Sequence, residues 1–238
     1  MFSTFATIFS ISNKSVSIPP PPTPYLYYTF NSDTVSGTTV SSVNSTSSQN
    51  LTLSNALASS TLNPKEGNKC FYGGNRNYYA SSQSLSIPVS NSNGLSVCFW
   101  TRFNASTTSN NGVQFSLGIG TSYKLHVLTG NTTLEVSLLS SGSNNQCSHT
   151  FTTGSWSHIA FTWIGTTLKI YVNGVQKSLT TNASIVAQCP TNDTWTSMFV
   201  NRRTDGITGI CYNDFDCLRL YNQVLTQSDI TQIYNAGN

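Results

Sequence analysis

The sequence predicts an all-β fold, a jelly-roll sandwich of two antiparallel sheets with one short C-terminal helix. Three observations carry that reading. Residues 156–174 hold two runs that alternate apolar and polar residues, 157–163 and 167–172, closed by Asn173-Gly174. Alternation at period two marks half-buried strands, and Asn-Gly tolerates the positive φ of a tight hairpin turn. Short β-prone runs separated by polar turns recur along the chain, while helical periodicity is confined to one segment near the C-terminus. Charged residues are only 8% of the 238, against 69 Ser and Thr and 25 Asn, which suits a sheet protein with many turns.

Residues 1–24 form an N-terminal arm: an apolar, β-prone start and then Pro19-Pro-Pro-Pro22, a stiff polyproline II spacer. An isolated extended segment buries too little surface to offset its ordering entropy, so the arm is expected to dock on a neighbouring chain. Residues 25–238 are read as the jelly-roll domain. Its first strand is Tyr25-Leu-Tyr-Tyr-Thr-Phe30, followed by a turn over 31–37, a polar loop over 41–49 and a short strand at 50–54. Gly73-Gly74-Asn75 turns into Tyr78-Tyr79-Ala80. The cleanest strand is 95–103, with Leu95, Val97, Phe99 and Phe103 on one face and Cys98 and Trp100 on the other. Further strands are expected over 113–119, 123–129 and 133–139, near Phe151, and finally over 214–221. Thr226 then caps a short helix with Asp229 three residues on, and Leu225, Ile230, Ile233 and Tyr234 are placed to face the sheet.

Composition narrows the function classes. A net charge of +3 spread over 11 basic residues makes no patch, and the one adjacent basic pair, Arg202-Arg203, is expected in a solvated loop. Nucleic acid is therefore not an expected partner. No run is long enough to span a bilayer, and the first eleven residues lack the basic n-region of a signal peptide, so no cleaved signal is expected. The six cysteines, Cys70, Cys98, Cys147, Cys189, Cys211 and Cys217, are candidates for disulfides, with buried thiols as the equal alternative; none has C-x-x-C spacing. Seven N-x-S/T sequons, at Asn13, Asn44, Asn50, Asn104, Asn131, Asn182 and Asn192, match the number that chance supplies in so Asn- and Ser/Thr-rich a chain.

Four blocks in order carry a family resemblance. They are Tyr27-Tyr-Thr-Phe30 with Val35-Ser-Gly37 and Asn50-Leu-Thr-Leu53; Asn77-Tyr-Tyr-Ala80 with 95–100; Trp156-Ser-His-Ile-Ala-Phe-Thr-Trp163 with Leu168-Lys-Ile-Tyr-Val-Asn-Gly174; and 215–230. Over roughly residues 25–234 the chain resembles the laminin-G-like jelly roll of the concanavalin A-like lectin and glucanase group. The resemblance implies two antiparallel sheets packed face to face. It leaves the ligand open, because that group holds binding modules, structural proteins and a few enzymes.

Glucanases of the group place two or three carboxylates on alternate residues of one strand, on one face. Here Glu66 and Glu135 are the only glutamates, and no carboxylate lies within two residues of either; no enzymatic activity is expected. Asp214 and Asp216 do share the i, i+2 spacing. The resemblance makes Asp216 a structural residue that accepts backbone hydrogen bonds, and Asp214 reads as a turn residue. His158, after Trp156, is expected to be a hydrogen-bonded packing residue. No nucleophile elbow, phosphate loop or dinucleotide fingerprint occurs. Several relatives hold calcium with loop carboxylates and carbonyls; Asp33 and Asp214 are the candidates for it here, and no other cofactor is expected. Sugar rings stack on aromatic faces. Tyr78, Tyr79, Trp195 and Tyr212 lie near expected loops, with Trp195 the first choice for an exposed ring, whereas Trp100, Trp156 and Trp163 are assigned to the core. The leading expectation is thus a non-catalytic structural or interaction module of a large assembly, for example a virus particle or another extracellular-facing surface. It would dock on neighbouring subunits through residues 1–24, by strand addition. The alternative is a carbohydrate-binding, lectin-like module.

Overall fold

The computed structural model describes residues 19–44, 49–54, 58–59, 63–73, 78–103, 112–130, 132–138, 143–182, 192–203 and 213–237. Strands are numbered in chain order. One sheet holds β1 (Leu26–Tyr28), β5 (Ala58–Ser59), β6 (Cys70–Phe71), β9 (Leu95–Arg102), β14 (Trp156–Ile164), β15 (Thr167–Val172), β16 (Val175–Lys177) and β20 (Asp214–Tyr221). Its order is β16-β15-β14-β9-β20-β6-β5, with β1 also paired to β20. The second sheet holds β2 (Val35–Ser36), β3 (Thr39–Val40), β4 (Leu51–Ser54), β7 (Tyr79–Ser82), β10 (Gly112–Ile119), β11 (Ser122–Thr129), β12 (Thr133–Leu138), β13 (Ser143–Ser148), β17 (Thr181–Asn182) and β19 (Ser197–Val200). It runs β17-β13-β12-β11-β10-β19-β7-β4-β3-β2. A small ribbon pairs β8 (Ile87–Ser90) with β18 (Asn192–Trp195).

Register turns the period-two alternation into two faces. Across β4, β7, β19, β10, β11 and β12 the residues Leu53, Ala80, Val200, Phe115, Val127 and Val136 stand opposite one another, and all are buried in the core between the sheets. One residue along, the opposing row is Thr52, Ser81, Phe199, Ser116, His126 and Ser137. That row lies on the outer face.

The eight-stranded sheet has a different outer face. Cys98, Ala160 and Tyr171 are cross-strand neighbours, and with Tyr221 they pack against Leu225, Ile230 and Ile233 in a second apolar core. Ile230 and Ile233 belong to α1 (Gln227–Ala236). Its N-terminus is the expected capping box: Thr226 Oγ1 accepts from Asp229 N at 3.2 Å and Asp229 Oδ2 accepts from Thr226 N at 2.8 Å. Tyr234 stacks on Trp100, centroids 5.6 Å apart.

The turn at Asn173-Gly174 also forms as expected. It joins β15 to β16 with φ of 51° and 76°, as a two-residue loop with both centres at positive φ requires. Two expectations shift. The strand placed near Phe151 falls at β13 instead, and the Phe151 ring packs 4.4 Å from Phe103. The polar run 191–196 holds a strand, β18, rather than a loop.

Candidate functional site

The outer face of the ten-stranded sheet gathers stacked rings and cations on a floor of hydroxyls. Phe199 on β19 and Tyr79 on β7 are stacked, centroids 6.2 Å apart at 24°, and the Arg202 guanidinium lies 4.5 Å over the Tyr79 ring. On the far side of Ser116, Tyr123 and His126 of β11 are stacked at 5.2 Å, and Arg203 lies 4.5 Å over Tyr123. The chain leaves β19 through Asn201, held at φ 61°, and Ser116 Oγ donates to Arg202 O at 3.1 Å. This turn lays the two arginines across the face. Farther along, on β12, Glu135 accepts from Ser137 Oγ and from Gln146 Nε2, both at 2.5 Å. Aromatic planes, planar guanidinium donors and fixed hydroxyls are the groups that hold a saccharide.

Of the aromatics proposed from sequence that lie among the described residues, only Tyr79 is brought to this face. Trp195 is a correction: it is fully buried in the main core. β18 alternates half-buried Asp193, exposed Thr194 and buried Trp195, so the polar neighbours that suggested exposure are the solvent-facing positions of the same strand. Tyr78 is half-buried, packs against the core, and lies 5.9 Å from Tyr72. Tyr212 lies outside the described residues, as do Cys189 and Cys211. Arg202 and Arg203, expected in a solvated loop, are half-buried and stacked; a cation stacked on a ring of another strand leaves no local sequence pattern.

The calcium candidates do not form a cage. Asp33 is exposed in the turn after Asn31, whereas Asp214 is fully buried in β20. Asp214 pairs with Arg102 at 2.7 Å and accepts from Gly73 N at 3.0 Å, so it is not the turn residue the sequence suggested. Among the described residues no group of three or more His, Cys, Asp or Glu is placed to hold a metal ion.

Among the described residues, three further carboxylates have structural partners. Asp216 accepts from the backbone N–H of Lys65, Glu66 and Cys217, as expected. Burial outweighs these bonds and raises its pKa to about 7. Glu66 pairs with Arg219 and accepts from Tyr27, and Asp229 caps α1.

His158 packs between Trp100 and Tyr234. Its ring nitrogens are buried without hydrogen-bond partners, contrary to expectation, and burial pulls its pKa down to about 3. Trp156 is another correction, half-buried with Nε1 donating to Asn63 O at 2.9 Å. Of the cysteines, Cys98, Cys147 and Cys217 are buried unbridged thiols and Cys70 is buried in β6. Burial lifts Cys98 to about 12 and Cys147 to about 11, so neither is poised as a nucleophile.

On the opposite sheet a groove of about 410 Å³ runs beside α1, lined by Ile164, Lys169, Tyr171, Gln176, Val224 and Gln227. It lacks paired aromatic planes.

The profile of the concanavalin A-like lectin/glucanases superfamily matches residues 73–231. No curated protein sequence matches the chain. Among solved structures it is similar to the Trypanosoma rangeli sialidase in complex with sialic acid, at 14% identity and TM-score 0.61, covering 88% of this chain and 32% of that one. It is also similar to the receptor binding domain of botulinum neurotoxin type G, at 11% identity and TM-score 0.61, with 90% and 51% covered. The C/D mosaic serotype domain matches at 12% identity and TM-score 0.64, with 89% and 51% covered. The chain thus spans about a third of the sialidase and about half of the toxin domains, and at these identities the likeness is one of fold.

Proposed function

The chain belongs to the concanavalin A-like lectin/glucanase superfamily, and from that premise we propose that it is a non-catalytic carbohydrate-recognition module. Its binding face is the outer side of the ten-stranded sheet. The observation that carries this reading is the pair of stacked units across one face, Arg202 on Tyr79 with Phe199, and Arg203 on Tyr123 with His126. Planar guanidiniums held on aromatic rings favour a saccharide that carries a carboxylate, such as a sialic acid.

The proposal that the module is non-catalytic rests on its carboxylates. Glu66, Glu135, Asp214, Asp216 and Asp229 each have a structural partner, and glycoside hydrolysis needs a pair free to face the substrate. Tethering to a neighbouring subunit, as on a particle or another extracellular-facing surface, is proposed for the arm; its residues 1–18 lie outside the described residues.

The test compares Tyr79→Ala and wild type for binding to a sialylated glycoprotein before and after desialylation. Binding by wild type that falls about tenfold or more in the variant, at equal melting temperature, supports the assignment. Equal binding by both proteins places recognition elsewhere.

A further inference from the structure

Helix α1 closes the middle of the outer face of the eight-stranded sheet but leaves its β16 side open. Among the described residues four large aliphatic side chains stand exposed, and three of them border this opening: Ile164 at 37%, Val175 at 60% and Val224 at 37%. Ile164 and Val224 line the groove of about 410 Å³ beside α1. Val175 lines a second hollow of about 460 Å³, walled by Gly174, Thr231 and Tyr234. Gln176 and Gln227 belong to both, so the two hollows adjoin.

Strand β16 supplies one rim. It ends the sheet, paired to β15 and to no other strand among the described residues. An open edge beside exposed aliphatic side chains is a template for an added strand. The opposite wall is already anchored, because Gln227 Nε2 donates to Gly174 O at 2.6 Å and so ties α1 to the turn before β16.

The chain carries a segment of matching chemistry. Residues 1–18, outside the described residues, include Phe2, Phe5, Ile8, Phe9 and Ile11, with Lys14 the one charged side chain. At period two, Phe5, Phe9 and Ile11 share one face of an extended strand. This segment joins the fold at Pro19, and residues 20–24 line a groove with Arg219 and Tyr221 of β20 and with Ile233 and Ala236. That places the spacer on the β20 side of α1, with β9, β14 and β15 between it and β16. To reach β16 in its own copy the arm has to cross α1 and then turn to run along the strand. The arm of a neighbouring copy meets neither constraint.

We propose that residues 1–18 of a second copy of this chain dock along β16, with phenylalanines seated in the two hollows beside α1. The proposal rests on the tethering role of the arm and gives it a receptor; it is independent of glycan recognition on the other sheet.

The test is sedimentation velocity of the full chain from about 1 to 100 µM, for wild type, Phe5→Ser/Phe9→Ser and Val175→Lys/Val224→Lys. Val175 and Val224 are exposed, so the second pair is expected to keep its melting temperature and its glycan binding. Wild type is expected to self-associate, and each double variant to weaken that association about tenfold or more. A benzophenone cross-linker in place of Phe9, in mixed isotope-labelled and unlabelled copies, should join one label to the other at residues 164–176 or 224–231. Wild type that stays monomeric over this range overturns the proposal, as do cross-links confined to single copies. Association lost in the arm variant but kept in Val175→Lys/Val224→Lys overturns the receptor and leaves the tethering role standing. Association kept in the arm variant overturns both.

Discussion

The outer faces of the two sheets begin from the same alternation and end in opposite chemistry. On the eight-stranded sheet the outward row is Cys98, Ala160 and Tyr171, and α1 folds over it to complete a second core. On the ten-stranded sheet the outward row is Thr52, Ser81, Phe199, Ser116, His126 and Ser137, and no helix covers it among the described residues. The apolar face is closed by the chain itself. The polar face instead presents stacked rings and guanidiniums. In a sandwich of this kind the hydrophobic effect accounts for the closed face, whereas on the other Phe199 is buried and Tyr79, Tyr123, His126 and the two arginines are half-buried among polar neighbours. The proposed binding role of the polar face rests on that difference in chemistry.

Mutations on the two sides should separate accordingly. The largest loss comes from the interior they share: Trp195→Ala should cost about 3–5 kcal/mol of stability, read by denaturant unfolding, while any folded fraction keeps its glycan affinity. Ile233→Ala on the closed face should cost roughly 2–4 kcal/mol, again without changing glycan affinity. On the polar face the pattern inverts. Arg203→Ala should weaken glycan binding about tenfold and shift stability by about 1 kcal/mol or less. A closed-face variant that lost binding at full stability would break the contrast.

Acid sharpens it further. His158, under α1, has a folded pKa of about 3 against 6.5 in the unfolded chain. The unfolded state therefore takes up its proton first, and stability falls as pH drops from about 6.5 toward 3. Asp216, raised to about 7, acts in the opposite sense: its contribution is present below its unfolded value and lost as pH rises through about 7. The difference between the pH–stability curves of wild type and His158→Phe isolates the histidine, and the variant should gain stability relative to wild type as pH falls from about 6.5 toward 3. The smallest effect is expected from a chelator. Asp33 is exposed and Asp214 is bound to Arg102, so EDTA should leave both melting temperature and glycan binding unchanged.

The closed face was legible in the sequence and the polar face was not, for a physical reason. Strand β9, the hairpin from β14 through Gly174, and the capping box at Thr226 are local patterns of period two, turn chemistry and cap spacing, and each formed where the pattern placed it. Alternation alone puts Cys98 and Trp100 on the face of β9 opposite Leu95, Val97 and Phe99, and α1 covers that face. The polar face is made of long-range contacts between residues with no local signature: Tyr79 meets Phe199 and Arg202 only through register. β13, built from Ser143–Ser148, carries too few apolar residues to announce a strand. Trp195 misled because a buried ring on a ribbon strand has polar sequence neighbours by construction.

The central claim is that the polar face binds sugar. A glycan array probed with the full chain and with the Tyr79→Ala/Arg203→Ala double variant tests it most directly. The account predicts reproducible binding of wild type to acidic glycans, lost in a double variant that melts at the same temperature. Silence from wild type shown to be folded, or binding that the double variant retains in full, would contradict it.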